Sequence, residues 1–179
     1  KTLKPAPNKA EIKIWNLAPS SRKKIEEAQT LPIQIDAGSQ SGTSTIFLGE
    51  LTLGHSYRTG SNLENRVTIL RCGDGETAFR KSGVSKSFAI GTPPDKILKE
   101  IAKSIGVKDG NLQQAILKIK AAGIAKAVSA GTCFFGSSSR EMTAICRSVG
   151  MSWSIQDGKL QLLELGKALD GEALFLSGE

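Results

Sequence analysis

The sequence predicts an α+β protein in two parts: an antiparallel β-barrel or sandwich over residues 1–90, and a small α+β unit of three helices and a β-hairpin over 91–165. Three observations carry this. Short alternating segments parted by Gly-, Ser- and Asn-rich turns fill the first half, helical spacing takes over at about Gly91, and "MSWSIQDGKLQLLEL" has the form of a hairpin.

The first strand spans residues 10–16, with Ile12 and Ile14 on one face and Glu11, Lys13 and Trp15 on the other. Pro19 and Ser20 stop it, and Ser20 or Ser21 is placed to N-cap the helix "SRKKIEEAQ". Strands follow at "PIQIDAG", "STIFLGELTL" and "NRVTILRC", separated by "GSQSGTS" and "YRTGSNLE", whose Gly, Ser and Asn provide turn chemistry.

Beyond Gly91, "TPPDKILKEIAKSIG" carries Ile97, Leu98, Ile101, Ala102 and Ile105 at helical spacing, with Pro93 and Pro94 near its first turn and Gly106 at its stop. "NLQQAILKIKAAG" repeats the pattern with Leu112, Ala115, Ile116 and Ile119. A third helix opens at Ser138, three residues before Glu141 as in a capping box, and buries Met142, Ile145, Cys146 and Val149. In the hairpin, a two-residue Asp157-Gly158 turn pairs Ile155 with Leu160 and Trp153 with Leu162.

Composition narrows the chemistry. A 179-residue chain with 39% apolar and 23% charged residues belongs with globular proteins, and no run approaches the length of a membrane-spanning helix. The net charge is +7; seven of the 24 Lys and Arg fall within residues 1–24 against one acid, Glu11, so the basic bias is local. Cys72, Cys133 and Cys146 are odd in number and widely spaced, which argues against a disulfide framework or zinc site and reads them as small core residues. His55 is the lone histidine, so any catalytic triad would have to be built around it. "CGDGETAF" superficially matches a dinucleotide fingerprint, but Asp74 and Glu76 put negative charge where a pyrophosphate should sit, and a tight turn is the simpler reading. Ser20-x-x-Lys23 lacks the partner motifs of penicillin-binding enzymes, and "GSSSRE" reads as ordinary helix capping rather than an anion site. No catalytic residue, metal ligand or cofactor is therefore nominated, and the chain is expected not to be an enzyme.

A resemblance makes the opening stretch legible. "PNKAEIKIWNLAPSSRKKIE" resembles the first block of the baseplate hub proteins of long-tailed phages, the late control protein D-like tail hub family. The similarity continues in order through "IQIDAG", "TIFLGEL", "VTILRCGDGETAF", "KSFAIGTPPDKILKEIAKSIGV", "MSWSIQDGKLQLLELGKAL" and "GEALFLS". It implies a tail-tube-like barrel over 1–90 lacking its N-terminal strand, an α+β insertion over 91–165, and the start of a second barrel over 166–179, so the chain is read as part of a longer one.

Hubs of that family are trimers whose paired barrels form a pseudo-sixfold ring, joining the tail tube to the central spike around a channel for the tape measure protein and then DNA. The resemblance thus implies a homotrimer in the longer protein, tube, spike and tape measure partners, non-specific passage of DNA, no membrane or small-molecule substrate, and a place in the virion after synthesis in the host cytoplasm. The side chains nominated for channel or subunit contact are Glu11, Lys13, Trp15 and Arg58. A solvated face with one exposed Trp is the plainer alternative for the first three. Two rival functions are a basic nucleic-acid-binding module using the N-terminal segment with Arg58, Arg66 and Arg71, and a cell-wall hydrolase, for which no paired acid can be nominated.

Overall fold

Alternation decides the first sheet. The computed structural model describes residues 5–39, 42–61, 64–123 and 130–167. Strands β1 (Lys9–Trp15), β2 (Pro32–Ser39), β3 (Gly42–Thr59) and β4 (Asn65–Gly73) form one antiparallel sheet in the order β1-β4-β3-β2. The 18-residue β3 is shared: Gly42–Glu50 pairs with β2 and Glu50–Thr59 with β4, with irregularities in register at Ile35/Asp36 and Leu51/Leu53. Strand β3 runs through "YRT", expected to be turn, because Tyr57 and Thr59 keep their pairing with Val67 and Asn65. The described residues form an open sheet; a closed barrel is not found among them.

One face of this sheet is apolar. Phe47, Leu51, Leu70 and Cys72 are buried there, with Ala10, Ile12, Ile14, Ile33 and Ile35 around them. Helix α1 (Pro19–Glu27) covers it through Ile25, and Gly54 makes the approach possible: a Cβ at Gly54 would stand 2.4 Å from Ile25 Cγ2. The expected Ser20 or Ser21 cap is corrected. Ala18 occupies the N-cap position with no side-chain cap, and Pro19, fixed at a helical φ, starts the helix earlier.

The second core is larger. Helices α3 (Pro94–Ile105), α4 (Leu112–Ala121) and α5 (Ser138–Ser148) pack with the ribbon of β5 (Gly83–Phe88) and β7 (Thr132–Ser137) and with a sheet of β6 (Lys108–Asp109), β9 (Lys159–Glu164) and β8 (Met151–Gln156). Gly106 ends α3 in the left-handed conformation at φ +78°, as its position predicts. Helix α5 is capped one residue earlier than expected. The Ser137 hydroxyl accepts from the Arg140 N–H at 3.4 Å, while Ser138 is buried and its hydroxyl accepts from Ser104 Oγ at 2.8 Å. In the β8–β9 hairpin Ile155 pairs with Leu160 and Trp153 with Leu162, and Asp157 and Gly158 have φ of +53° and +71°, the conformation of a type I′ turn. Part of the stretch 76–88, counted with the β-rich half on sequence, also contributes to this core: Ala78, Phe79 and Phe88 line it, Val84 is buried in it, and the Phe79 ring stacks on Trp153 at 5.7 Å. Among the described residues no helix is long and apolar enough to cross a membrane.

Candidate functional site

The other face of the first sheet is uncovered by α1, and the strand registers fix its content. Three rows cross β1, β4 and β3: Glu11–Arg71–Leu53, Lys13–Ile69–His55 and Trp15–Val67–Tyr57. Val67 and Ile69 on the central strand form a buried floor, while Trp15 is 58% exposed, Leu53 47% and Tyr57 45%. The half-buried His55 ring stacks on Tyr57 with centroids 6.2 Å apart. Exposed aromatics over an apolar floor are what an interaction surface presents.

Charge on this face is organised around one carboxylate. Arg71 Nε–H donates to one oxygen of Glu11 at 3.2 Å, and Lys13 Nζ lies 3.6 Å from the other. Each group is about half exposed, so these pairs contribute at most about 1 kcal/mol; they set the orientation of the charges more than the stability. Glu11, Lys13 and Trp15 are therefore brought together, as their alternation predicts. Arg58 is not: it sits on the opposite face, paired across β3–β4 with Arg66 at the far end of the strands. Sequence reading missed Leu53, His55 and Tyr57 as members of the face, because the shift at Leu51/Leu53 sets which of them share a side with Trp15.

The Gly73-Asp74-Gly75 turn does structural work between the two cores. Asp74 is 1% exposed, and its carboxylate accepts from the N–H of Asp157 at 2.7 Å and of Gly158 at 3.1 Å, the turn of the β8–β9 hairpin. Nearby, Asn8 Nδ2–H donates to the Ile155 carbonyl at 3.4 Å. Gly75, at φ +66°, begins helix α2 (Glu76–Lys81), and a Cβ there would fall 2.6 Å from Ile155. The turn reading of this motif stands, but its partner is a distant hairpin rather than its own backbone.

Beside α2 lies a cleft of about 770 Å³ lined in part by Lys9, Glu11, Glu50, Arg71, Glu76 and Arg80. Its charges largely answer one another: Glu11 pairs with Arg71, Glu76 with Arg80, and Glu50 accepts from the Thr77 N–H at 3.2 Å. Burial raises the Cys72 thiol and pushes that of Cys146 up to about 12, so neither forms a thiolate readily near neutral pH. Cys133 is exposed on β7, 3.2 Å from the Ser87 hydroxyl. Among the described residues no three His, Cys, Asp or Glu side chains converge in a metal-ligand arrangement. In comparison with known proteins, no protein-family model matches the chain and no curated protein matches it.

Proposed function

We propose that this chain is a non-catalytic, structural part of a phage tail baseplate hub. In this reading the first sheet is part of the wall of a tail-tube-like barrel and residues 91–165 are an α+β insertion; the start of a second barrel expected over 166–179 falls, but for its first two positions, outside the described residues. The longer protein forms a trimeric ring in the virion, adapting the tail tube to the central spike and lining the channel through which the tape measure protein and DNA pass. The reading rests on the ordered sequence resemblance. The observation that supports it best is the uncovered sheet face, where Trp15, Leu53 and Tyr57 are exposed above Val67 and Ile69 beside the Glu11 ion pairs. Such a surface suits packing against another protein. In a ring, Trp15 and Tyr57 are buried against a neighbouring subunit or tail protein, and Arg58, on the other face, belongs to a different surface.

Electron microscopy of the longer protein assembled with its tail neighbours tests the reading. A threefold ring between tube and spike, with the Trp15 face buried, is the expected result. A protein absent from the tail tip, or one retained on DNA cellulose at low salt and released by salt, would replace the hub with a nucleic-acid-binding module.

A further inference from the structure

The rows on the α1 face of the first sheet change from apolar to charged along β3 and β4. Gly54 and Leu70 share a row near Ile25, the Ser56 and Thr68 hydroxyls bond each other at 3.0 Å in the next, and Arg58 stands opposite Arg66 in the last. Both backbone groups of Arg66 are taken up by Asn16, the residue after β1. The Arg66 carbonyl accepts from the Asn16 N–H at 2.7 Å, and the Arg66 N–H donates to Asn16 Oδ1 at 3.0 Å. They therefore point away from β3. Arg58–Arg66 is then a non-hydrogen-bonded pair, the class with Cα atoms about 4.5 Å apart and side chains closest together.

Like charges directly opposite one another are destabilising, and here two guanidinium groups are set side by side. Arg58 is exposed and Arg66 half-buried, and among the described residues neither is held by a carboxylate. The corner that presents them is firmly built. Asn16 adopts a left-handed φ of +52°, and its Nδ2–H also donates to Asn65 Oδ1 at 3.2 Å. Arg22 adds a third cation nearby in the chain, its Nη1–H donating to the carbonyl of Leu17 at 2.9 Å.

We propose that Arg58 and Arg66 form a binding site for one carboxylate, supplied by an Asp or Glu side chain of a partner protein. A planar carboxylate between two guanidinium forks replaces their repulsion with charge-assisted hydrogen bonds on both sides. The pair suits a single anion better than a run of phosphates. Arg71, the other arginine of β4, is on the opposite face and bonded to Glu11, and the exposed rings of Trp15 and Tyr57, on which bases could stack, are on that opposite face too. The site follows from the β3–β4 register and stands apart from the hub reading.

The test uses the 179-residue chain with sodium acetate as the probe, titrated against sodium chloride at matched ionic strength and read by NMR at the arginine Nε–H groups. The Arg58 and Arg66 resonances are expected to move together on one saturating curve in the millimolar range, while that of Arg71, held by Glu11, stays in place. Arg58→Lys keeps the charge without the planar fork and is expected to weaken acetate binding about threefold or more. Arg58→Gln is expected to abolish the saturable response of Arg66. Because it also removes the repulsion, it is expected to melt about 1–3 °C above the original chain in low-salt buffer without acetate, and the melt shows that it is folded. Acetate that moves all the arginines alike, or moves Arg66 equally in Arg58→Gln, overturns the proposal. A lower melting point for Arg58→Gln overturns it as well, since the two charges would then already be satisfied within the chain. A short DNA duplex at physiological ionic strength is expected to leave both resonances unmoved; shifts at duplex concentrations below those of acetate would assign the pair to phosphates and exclude the carboxylate.

Discussion

At Asp74 a single carboxylate holds two backbone groups more than eighty positions along the chain, the N–H groups of Asp157 and Gly158. Removing it leaves two half-buried donors without their charged acceptor, and hydrogen bonds to charged groups are the stronger class. Asp74→Ala is accordingly expected to lower unfolding free energy by about 2–3 kcal/mol, and Asp74→Asn, which keeps one acceptor oxygen, by less. Urea unfolding of the three proteins measures both, with the midpoint moving and the slope holding. The cysteines give a second residue-scale prediction. A thiol reagent at neutral pH is expected to label Cys133 alone in the native protein, since Cys72 and Cys146 are buried and their thiols shifted away from ionisation. Fast labelling of two or three thiols before unfolding would contradict that placement.

Elements show which part of the fold was legible. The β8–β9 hairpin was, because a two-residue Asp-Gly turn fixes register locally and both its φ values are positive as such a turn demands. Gly158→Val forces a β-branched residue into that conformation and is expected to cost about 1 kcal/mol or more, read as a lower melting midpoint. The β5–β7 ribbon was not legible: "GVSKSF" and "TCFFGS" pair although residues 89–131 lie between them, and neither alternates strongly enough to announce itself. The uncovered face was half legible. Glu11, Lys13 and Trp15 follow from alternation, whereas Leu53, His55 and Tyr57 depend on an irregularity that alternation does not reveal. In the β2–β3 ribbon, Asp36 accepts from Thr45 Oγ1–H at 2.6 Å and from Gln34 Nε2–H at 3.0 Å, and these bonds, Thr45 first, hold its carboxyl below the ordinary 3.8. A depressed folded value stabilises the ribbon above the unfolded value and the effect is lost as pH falls through the folded one. Carboxyl NMR titration is expected to give Asp36 a midpoint under 3.8 that rises in Thr45→Val; an unchanged midpoint would remove the clasp.

On the scale of the whole molecule the two cores are unequal. Among the described residues, twenty buried side chains form the helical core, against four in the cluster beneath α1. A small cluster on an open sheet buries too little apolar surface to offset its chain entropy comfortably, so the first sheet relies on its attachment to the second core. That attachment runs through the Gly73-Asp74-Gly75 turn and the Asn8 side chain, both bonded to the β8–β9 hairpin. The two units should therefore differ in local stability, with the weaker one tied to the stronger. Native-state hydrogen exchange is expected to rank the amides of α3, α5 and β8 as the slowest and those of β1 and the β2–β3 ribbon as markedly faster. Asp74→Ala is expected to widen the gap: protection falls across β1, β3 and β4, while α3 and α5, whose packing is internal to the helical core, keep theirs. Equal losses in both units would mean that the chain opens only as a whole, and the dependence of the first sheet on the Asp74 attachment would have to be given up.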